Sequence, residues 1–312
     1  MTQIVSPASH GLRLLVIFNP TAGGRRRRRF EATLSCLRAA VCRVEVCETA
    51  GPGDGEAIAR RASREDFDRV VAAGGDGTIN EVLNGLAADQ AGALRPADSR
   101  PPLAIIPMGT ANVLAAELGL PKKPSALAEF ILRGSECSVG LGRLSSGVFF
   151  GAMVGVGIDA HVVAGVDDAL KRRIGKGAYA LEGLRQLFTF PYPDYRVTVD
   201  DAAHEAAWVI LTRSRFFAGR FVIAPKARID DGLLHVCLFQ RRGTWAMLRY
   251  ALAQQFGRLQ KLPDYHVVTG RRVSIDGPPG DPLEADGDIA GELPITVDLV
   301  PDALGLIMPT AE

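Results

Sequence analysis

No charge imbalance, no paired-cysteine motif and no uninterrupted apolar run marks this chain, and each absence removes a class of protein. With 36 Lys and Arg against 35 Asp and Glu the net charge is +1, so no global field recruits nucleic acid. The five cysteines, Cys36, Cys42, Cys47, Cys137 and Cys237, form no CxxC pair. Odd in number and irregular in spacing, they suit neither a disulfide framework nor a zinc site and fit a reducing compartment. The longest apolar region, Val148 to Val166, is broken by glycines, Asp159 and His161. The N-terminus lacks the apolar core of a signal peptide, and no membrane span is expected. Neither GxxxxGK(S/T) nor GxGxxG follows a strand pattern, so the ordinary P-loop and Rossmann fingerprints are missing. There is no internal repeat.

What is present is a soluble-globular composition, 47% apolar and 23% charged, over 312 residues, enough for two domains. The first half alternates strand and helix patterns. "RLLVIF" precedes Asn19; Phe30, Leu34, Leu37 and Val41 share a helical stripe; "RVEVCET" starts at Arg43. A helix around Ala57, Ile58 and Ala62 leads to the apolar run Val70–Ala73, and "LAIIP" starts at Leu103. Repeated βα units imply a parallel sheet, with 88–102 as a surface loop. From Cys137 the pattern changes to short alternating strands, interrupted by helical stretches from Asp168 and Thr244, which reads as an antiparallel β domain. The boundary falls near residue 135. The expected units are 11–135, an α/β nucleotide-binding domain; 136–300, a substrate domain; and 301–312, a segment returning to the first.

Three strand-to-helix corners carry the chemistry. In "RVVAAGGDGTINEVLNGL" an apolar strand stops at Gly74-Gly75-Asp76-Gly77-Thr78, and Ile79, Val82, Leu83 and Leu86 then recur with helical spacing. Such a corner offers free N–H groups and a helix dipole to an anion, and glycine admits a phosphate close to the backbone. Asp76 would repel that phosphate unless a divalent cation lies between them, as in phosphoryl transfer. The competing reading is a tight turn in which Asp76 satisfies local N–H groups. "NPTAGG" (Asn19–Gly24) and "PMGTANVLA" (Pro107–Ala115) form the other corners, where Thr110 and Asn112 suit helix capping as well as ligand binding. In a parallel sheet all three lie at strand carboxyl ends, where α/β folds bind ligands.

Taken in order, "NPTAGG", "GGDGTINEVLNGL", "GTANVLA", "GVGIDA", "APKARIDDGLL" and "ADGD" resemble the diacylglycerol kinase catalytic family of lipid kinases over nearly the whole chain. The family includes soluble bacterial lipid kinases and is related to sphingosine and ceramide kinases. GGDGT alone is shared with NAD kinases; the later motifs favour the lipid branch. The resemblance implies an α/β domain and a mainly antiparallel β-sandwich with the nucleotide in the cleft between them, and ATP- and magnesium-dependent transfer of phosphate to a lipid hydroxyl, diacylglycerol or a related alcohol. It implies ATP contacts at Asn19, Pro20, Thr21, Ala22 and Gly23, at Gly74, Gly75, Asp76, Gly77, Thr78, Ile79 and Asn80, and at Thr110, with Thr49 added. It implies Asp288 as general base, where the family has Glu, with Asp76 or Glu292 as alternatives, and Asp159 facing the active-site cleft unless an arginine pairs it. Val113 stands where many members carry Asp. "ARIDDGLL" resembles a structural magnesium loop, with Asp231 as side-chain ligand and the carbonyls of Arg228 and Leu233 as partners; an Asp-Gly turn is the plainer reading.

A kinase of long-chain lipids needs a basic, apolar surface for peripheral contact at the inner face of a membrane. Leu170–Arg196 and Arg215–Phe221 are the candidate stretches, and Arg25–Arg29 is either a solvated helix face or a phosphate or headgroup contact. A homodimer is expected by analogy. The alternatives are an NAD kinase-like enzyme on a soluble acceptor and a catalytically silent lipid- or nucleotide-binding regulator.

Overall fold

The computed structural model describes residues 11–22, 26–40, 43–109, 111–166, 176–219 and 221–309. Four parallel strands open the chain: β1 (Arg13–Phe18), β2 (Arg43–Glu48), β3 (Arg69–Gly74) and β4 (Leu103–Pro107), side by side in the order β2-β1-β3-β4. Between and after them run α1 (Arg27–Ala39), α2 (Asp54–Arg61), α3 (Asp76–Ala87), α4 (Val113–Glu117) and α5 (Pro124–Arg133). Successive side chains of a strand point to opposite faces, and the core divides accordingly. Leu15, Ile17, Val70 and Ala72 join the side packed by α2 and α3, whereas Leu14, Val16, Phe18, Val71 and Ala73 join the side packed by α1 and α5. Phe18 and Phe30 stack at 4.2 Å and fix α1 against β1.

The second half contributes β5 (Ser135–Leu144), β6 (Phe149–Phe150), β7 (Met153–Val156), β8 (Tyr195–Val199), β9 (Ala202–Ala206) and β10 (Trp208–Thr212). It continues with β11 (Phe216–Phe217), β12 (Phe221–Val222), β13 (Leu234–Phe239), β14 (Tyr265–Gly270), β15 (Arg272–Asp276), β16 (Pro282–Ala285), β17 (Asp288–Glu292) and β18 (Ile295–Met308). Among the described residues three α-helices interrupt these strands: α6 (Ile158–Gly165), α7 (Lys176–Thr189) and α8 (Thr244–Gln255). A six-stranded antiparallel sheet, β14-β13-β10-β7-β16-β17, packs over β8, β15 and the first half of β18. Val197, Val199, Val273, Ile275 and Val297 from one layer meet Val154, Val156, Val209, Leu211 and Leu238 from the other, a β-sandwich core. The fold class read from the sequence, a parallel α/β domain followed by an antiparallel β-sandwich, is the one observed.

The two halves are not separate sheets. β18 pairs antiparallel with β5 and β15 and meets β4 in parallel at Leu306 and Leu103, so parallel and antiparallel strands share one ten-stranded sheet. The long connection before β4 is also tied down. Arg95 donates to the carbonyls of Ala59, Ala62 and Gly85, and the buried Arg100 reaches those of Asp302 and Ala303. Residues 89–99 are nonetheless at the surface, as their composition reads, and only Ala88 and residues 100–102 at the two ends of the connection are buried.

Candidate active site

The three corners meet. Asn19, after β1, donates through Nδ2 to Thr78 Oγ1 at 3.0 Å and accepts from the Thr21 N–H and hydroxyl at 2.9 and 2.7 Å. Its carboxamide therefore sets the first corner and ties it to the second. The second and third touch at glycines: a Cβ on Gly109 would collide with the Cα of Gly75 and with Asn112 Oδ1. Asn112 is left-handed at φ 49° and binds both backbone groups of Gly109 through its carboxamide, an Asn placement that tolerates this conformation. Thr49 lies beside the first corner, its N–H on the Phe18 carbonyl at 2.9 Å. Pro20 and Thr21 are exposed at the turn, and Ala22 faces the cavity described below. Gly23 and Thr110 lie outside the described residues.

Asp76 has an internal partner that the sequence does not suggest. Its two carboxylate oxygens accept the N–H groups of Asn112 and Val113, each at 2.8 Å, so it caps α4 from another helix. The carboxylate fastens the second corner to the third. Two further side chains of the same stretch act as clamps. Glu81 accepts the N–H groups of Gly53 and Gly55 at the start of α2, at 2.9 and 3.0 Å, and Asn84 binds both backbone groups of Phe149 at 2.8 Å. The second of these fastens α3 to β6 across the two halves.

Opposite the corners stands a set of acids from the sandwich. Asp286 and Gly287, at φ 50° and 96°, make the two-residue turn between β16 and β17, with φ positive at both positions as a tight hairpin requires. The turn is also a device. Asp286 is half-buried and accepts the N–H groups of Gly151, Ala152 and Met153 at 2.7, 2.9 and 2.9 Å. Burial pushes its carboxyl up to about 6, against the pull of those donors. Asp288 is exposed, and its Oδ2 stands 3.0 Å from where a Cβ on Gly77 would be, so the glycine leaves the base candidate room over the second corner.

Asp159 does not end a strand. β7 stops at Val156, Gly157 turns at φ 115°, and Asp159 falls in the first turn of α6, because the glycine breaks an otherwise continuous apolar run. Its Oδ1 accepts the Ala160 N–H at 2.9 Å, and its buried Oδ2 has no hydrogen-bond partner. Among the described residues no arginine pairs with it. Burial pushes it up to about 7; the nearby Trp208 indole N–H opposes this from outside good hydrogen-bond geometry. Its neighbour is Glu284, 3% exposed, which the sequence reading passed over. Glu284 Oε2 accepts the Gly287 N–H at 2.8 Å, while burial first and the Asp159 charge second raise its carboxyl well above the usual range. Asp159 Oδ2 and Glu284 Oε1 press on the same face of Gly155, a close carboxyl pair. The available signal was an acid inside the buried apolar strand "PLEA", which must find a purpose.

The three corners and the acids line one cavity of about 1220 Å³. Asn19, Gly75, Thr78, Ile79 and Gly109 bound one end, Asp76, Asp159, Glu284, Asp286 and Asp288 the middle, and Trp208, Phe217, Phe239, Met247 and Tyr250 the far end. Trp208 stacks on Phe239 at 4.0 Å, and Tyr250 meets the edge of Phe239 at 5.0 Å, giving that end a rigid aromatic wall. Among the described lining residues there is no Lys, Arg or His. A second, polar groove of about 310 Å³, with Arg60, Asn80 and Asn84 in its wall, shares Gly77 and Asp288 with the first.

A sequence model of the diacylglycerol kinase catalytic domain matches residues 13–144, and one described as the YegS C-terminal NAD kinase beta sandwich-like domain matches residues 152–308. The chain belongs to the diacylglycerol kinase family. A curated diacylglycerol kinase of Staphylococcus saprophyticus is 30% identical over 285 residues, 90% of each chain. One from Bacillus subtilis is 28% identical over 288 residues, covering 90% of this chain and 91% of its own. A crystal structure of a diacylglycerol kinase from Bacillus anthracis superimposes with a TM-score of 0.77 at 24% identity, over 97% of this chain and 99% of that one, and shares the fold.

For a chain of the diacylglycerol kinase family, the loop before β13 is the expected magnesium loop. Asp231 there accepts the N–H groups of Arg228 and Leu233 at 3.0 and 2.9 Å and the Nε2–H of His235 at 2.7 Å. The Arg228 carbonyl accepts the Asp231 N–H at 3.2 Å, and the Arg228 guanidinium pairs with Asp230 at 2.9 Å. Among the described residues no group of three His, Cys, Asp or Glu side chains is arranged to hold a metal ion. Asp231-Gly232 forms a turn, with Gly232 at φ 69°, and both Asp231 carboxylate oxygens and the Arg228 carbonyl accept protein donors.

Proposed function

We propose that this chain is a lipid kinase that uses ATP and magnesium to phosphorylate the hydroxyl of a membrane lipid alcohol, with diacylglycerol, the substrate named in its relatives, the first acceptor to test. The observation that carries this reading is the continuity of the cavity from a glycine-lined anion site to an aromatic and aliphatic chamber. Its volume of about 1220 Å³ exceeds the roughly 300–1,000 Å³ of ordinary small-molecule pockets and suits long acyl chains. A soluble acceptor such as a dinucleotide gains little from that apolar end.

The corners and the N-terminus of α3 would bind the phosphates through backbone N–H groups. Magnesium, bound with the nucleotide, would neutralise phosphate charge, and Asp76, whose oxygens each have a lone pair beside the one that takes the N–H bond, would supply a hard donor of the kind it prefers. Asp288 takes the acceptor proton as the oxygen–phosphorus bond forms and ADP leaves. The Asp159–Glu284 pair, raised by burial, retains a proton at neutral pH and so offers the acceptor both a donor and an acceptor of hydrogen bonds.

ATP as donor puts the reaction on the cytoplasmic face of a membrane, where the protein would bind peripherally. α7 and α8 wall the cavity and also carry outward apolar stripes, Leu181, Leu184 and Phe188 on one and Trp245, Leu252 and Phe256 on the other. Trp245 is 85%, Phe188 72% and Phe256 70% exposed, with Arg185, Arg241 and Arg242 among them, a composition suited to an anionic bilayer surface. Of the stretches marked in the sequence, residues 167–175 and Arg220 lie outside the described residues. Phe190 and Tyr195 are buried, and α8 was not marked at all. Among the described residues no helix is long and apolar enough to cross a membrane. Arg27 pairs with Glu31 and Arg29 holds the Pro121 carbonyl, so that part of the arginine run serves α1.

The test is transfer of radiolabelled γ-phosphate from ATP to a panel of lipids in mixed micelles, with magnesium or with chelator, resolved by thin-layer chromatography. A chelator-sensitive labelled lipid is expected. Label on NAD instead, or on nothing, overturns the reading.

A further inference from the structure

Arg213, which follows β10, is 1% exposed and heads the fully buried side chains by volume. A guanidinium in such a place is costly unless its charge and its donors are matched. Its Nη2 donates to the Ile229 carbonyl at 2.6 Å and its Nη1 to the Gly151 carbonyl at 3.2 Å. The acids whose charges favour it are Asp231 and Asp286. Although burial pulls it down to about 10, it remains charged at neutral pH. One side chain thus joins the 228–233 loop, the Gly151 segment of the cavity wall and the hairpin whose Asp286 grips that same segment from its N–H side.

A divalent ion in the loop would need oxygen lone pairs that point to a common centre. The Asp231 oxygens receive two N–H groups and an imidazole, the Arg228 carbonyl receives the Asp231 N–H, and the Ile229 carbonyl receives Arg213. The fixed positive charge of Arg213 repels a second cation. We infer that the Arg213 guanidinium is the resident cation of this loop, which folds and braces the cavity wall without a divalent metal. This departs from the metal site that family resemblance implies, and it is independent of any magnesium that accompanies the nucleotide.

The experiment is thermal unfolding of the full-length protein without nucleotide, in excess chelator and in millimolar magnesium, for the wild type, Arg213→Gln, Arg213→Lys and Asp231→Asn. The wild type is expected to melt at one temperature in both conditions. Arg213→Gln should melt about 5–10 °C lower, the scale of a broken buried charge interaction in a chain of this size, with Arg213→Lys in between. A magnesium-dependent rise in the wild type that vanishes in Asp231→Asn would show a metal in the loop and overturn the inference. So would Arg213→Gln melting with the wild type. A rise that persists in Asp231→Asn arises at other acids and leaves the loop metal-free, as inferred. Should Arg213→Gln fail to fold, the wild-type comparison and a lowered melting temperature for Arg213→Lys carry the test.

Discussion

The two ends of the cavity follow opposite rules. At the corners, polar side chains are bound to protein: Asn19 to Thr78 and Thr21, Asp76 to the start of α4, Asn112 to Gly109. At the junction with the apolar chamber, Asp159 keeps a buried oxygen without a hydrogen-bond partner beside Glu284, whose carboxyl is pushed up. The first end is complete before any ligand arrives, as an electrostatic cradle should be. The second holds unspent hydrogen-bonding capacity, at a cost in stability that an acceptor hydroxyl can offset.

Three variants test that contrast, and a fourth extends it to the membrane. Asp288→Asn removes the proposed proton acceptor over Gly77 and should lower kcat by about 10²–10⁴-fold with little change in KM for ATP; steady-state kinetics with the identified acceptor would check it. Unaltered kcat would transfer the role to the Asp159–Glu284 pair. Asp76→Asn puts an amide where two N–H groups point. It should cost about 1–3 kcal/mol in urea unfolding and abolish turnover, because the third corner loses its tie. Retained stability would mean the cradle is not preset. Replacing Trp245 by Glu on the outer face of α8 should weaken binding to anionic vesicles about tenfold in co-sedimentation, with soluble-substrate turnover unchanged.

The smallest effect concerns the other end. The Asp159 carboxyl lies at about 7 when folded against an ordinary 3.8, so the folded state binds its proton more tightly. That contribution to stability is fully present below about 3.8 and is lost as pH rises through about 7. Glu284, Asp286 and Asp288 on the facing hairpin carry the same sign of charge and sharpen the loss. Asp159→Asn should therefore be more stable than the wild type by about 1–2 kcal/mol at pH 8, an advantage that shrinks toward pH 4. Denaturant midpoints at the two pH values measure it, and a pH-independent difference would remove the charged pair from the account.

Much of the cradle was legible because its signals are local. Strand, glycine, N-terminal helix turn: each corner is written in fewer than ten consecutive residues, and backbone geometry follows from them. Asp286-Gly287 has the local form of a turn, and turn and proposed function are compatible, since the same turn sets Asp288 over Gly77 and seats Asp286 on the Gly151 N–H. Glu284 and Arg213 were not legible. Each is a charge in an apolar strand context, and only the opposing layer shows what it meets: Asp159 across β7 for one, the Ile229 carbonyl for the other.

By itself the sequence determined the alternation of βα units, the switch to antiparallel strands near Cys137 and the positions of three anion-ready corners, because period and turn chemistry act over neighbouring residues. Tertiary structure alone decided that the corners touch, that Asp76 caps α4, that Asp159 has Glu284 for company, and that the Arg213 guanidinium reaches the Ile229 carbonyl of the loop before β13. These are contacts between residues 16 to more than 100 positions apart, set by which strands pair and which layers face, and pairing distance leaves no local mark in a sequence.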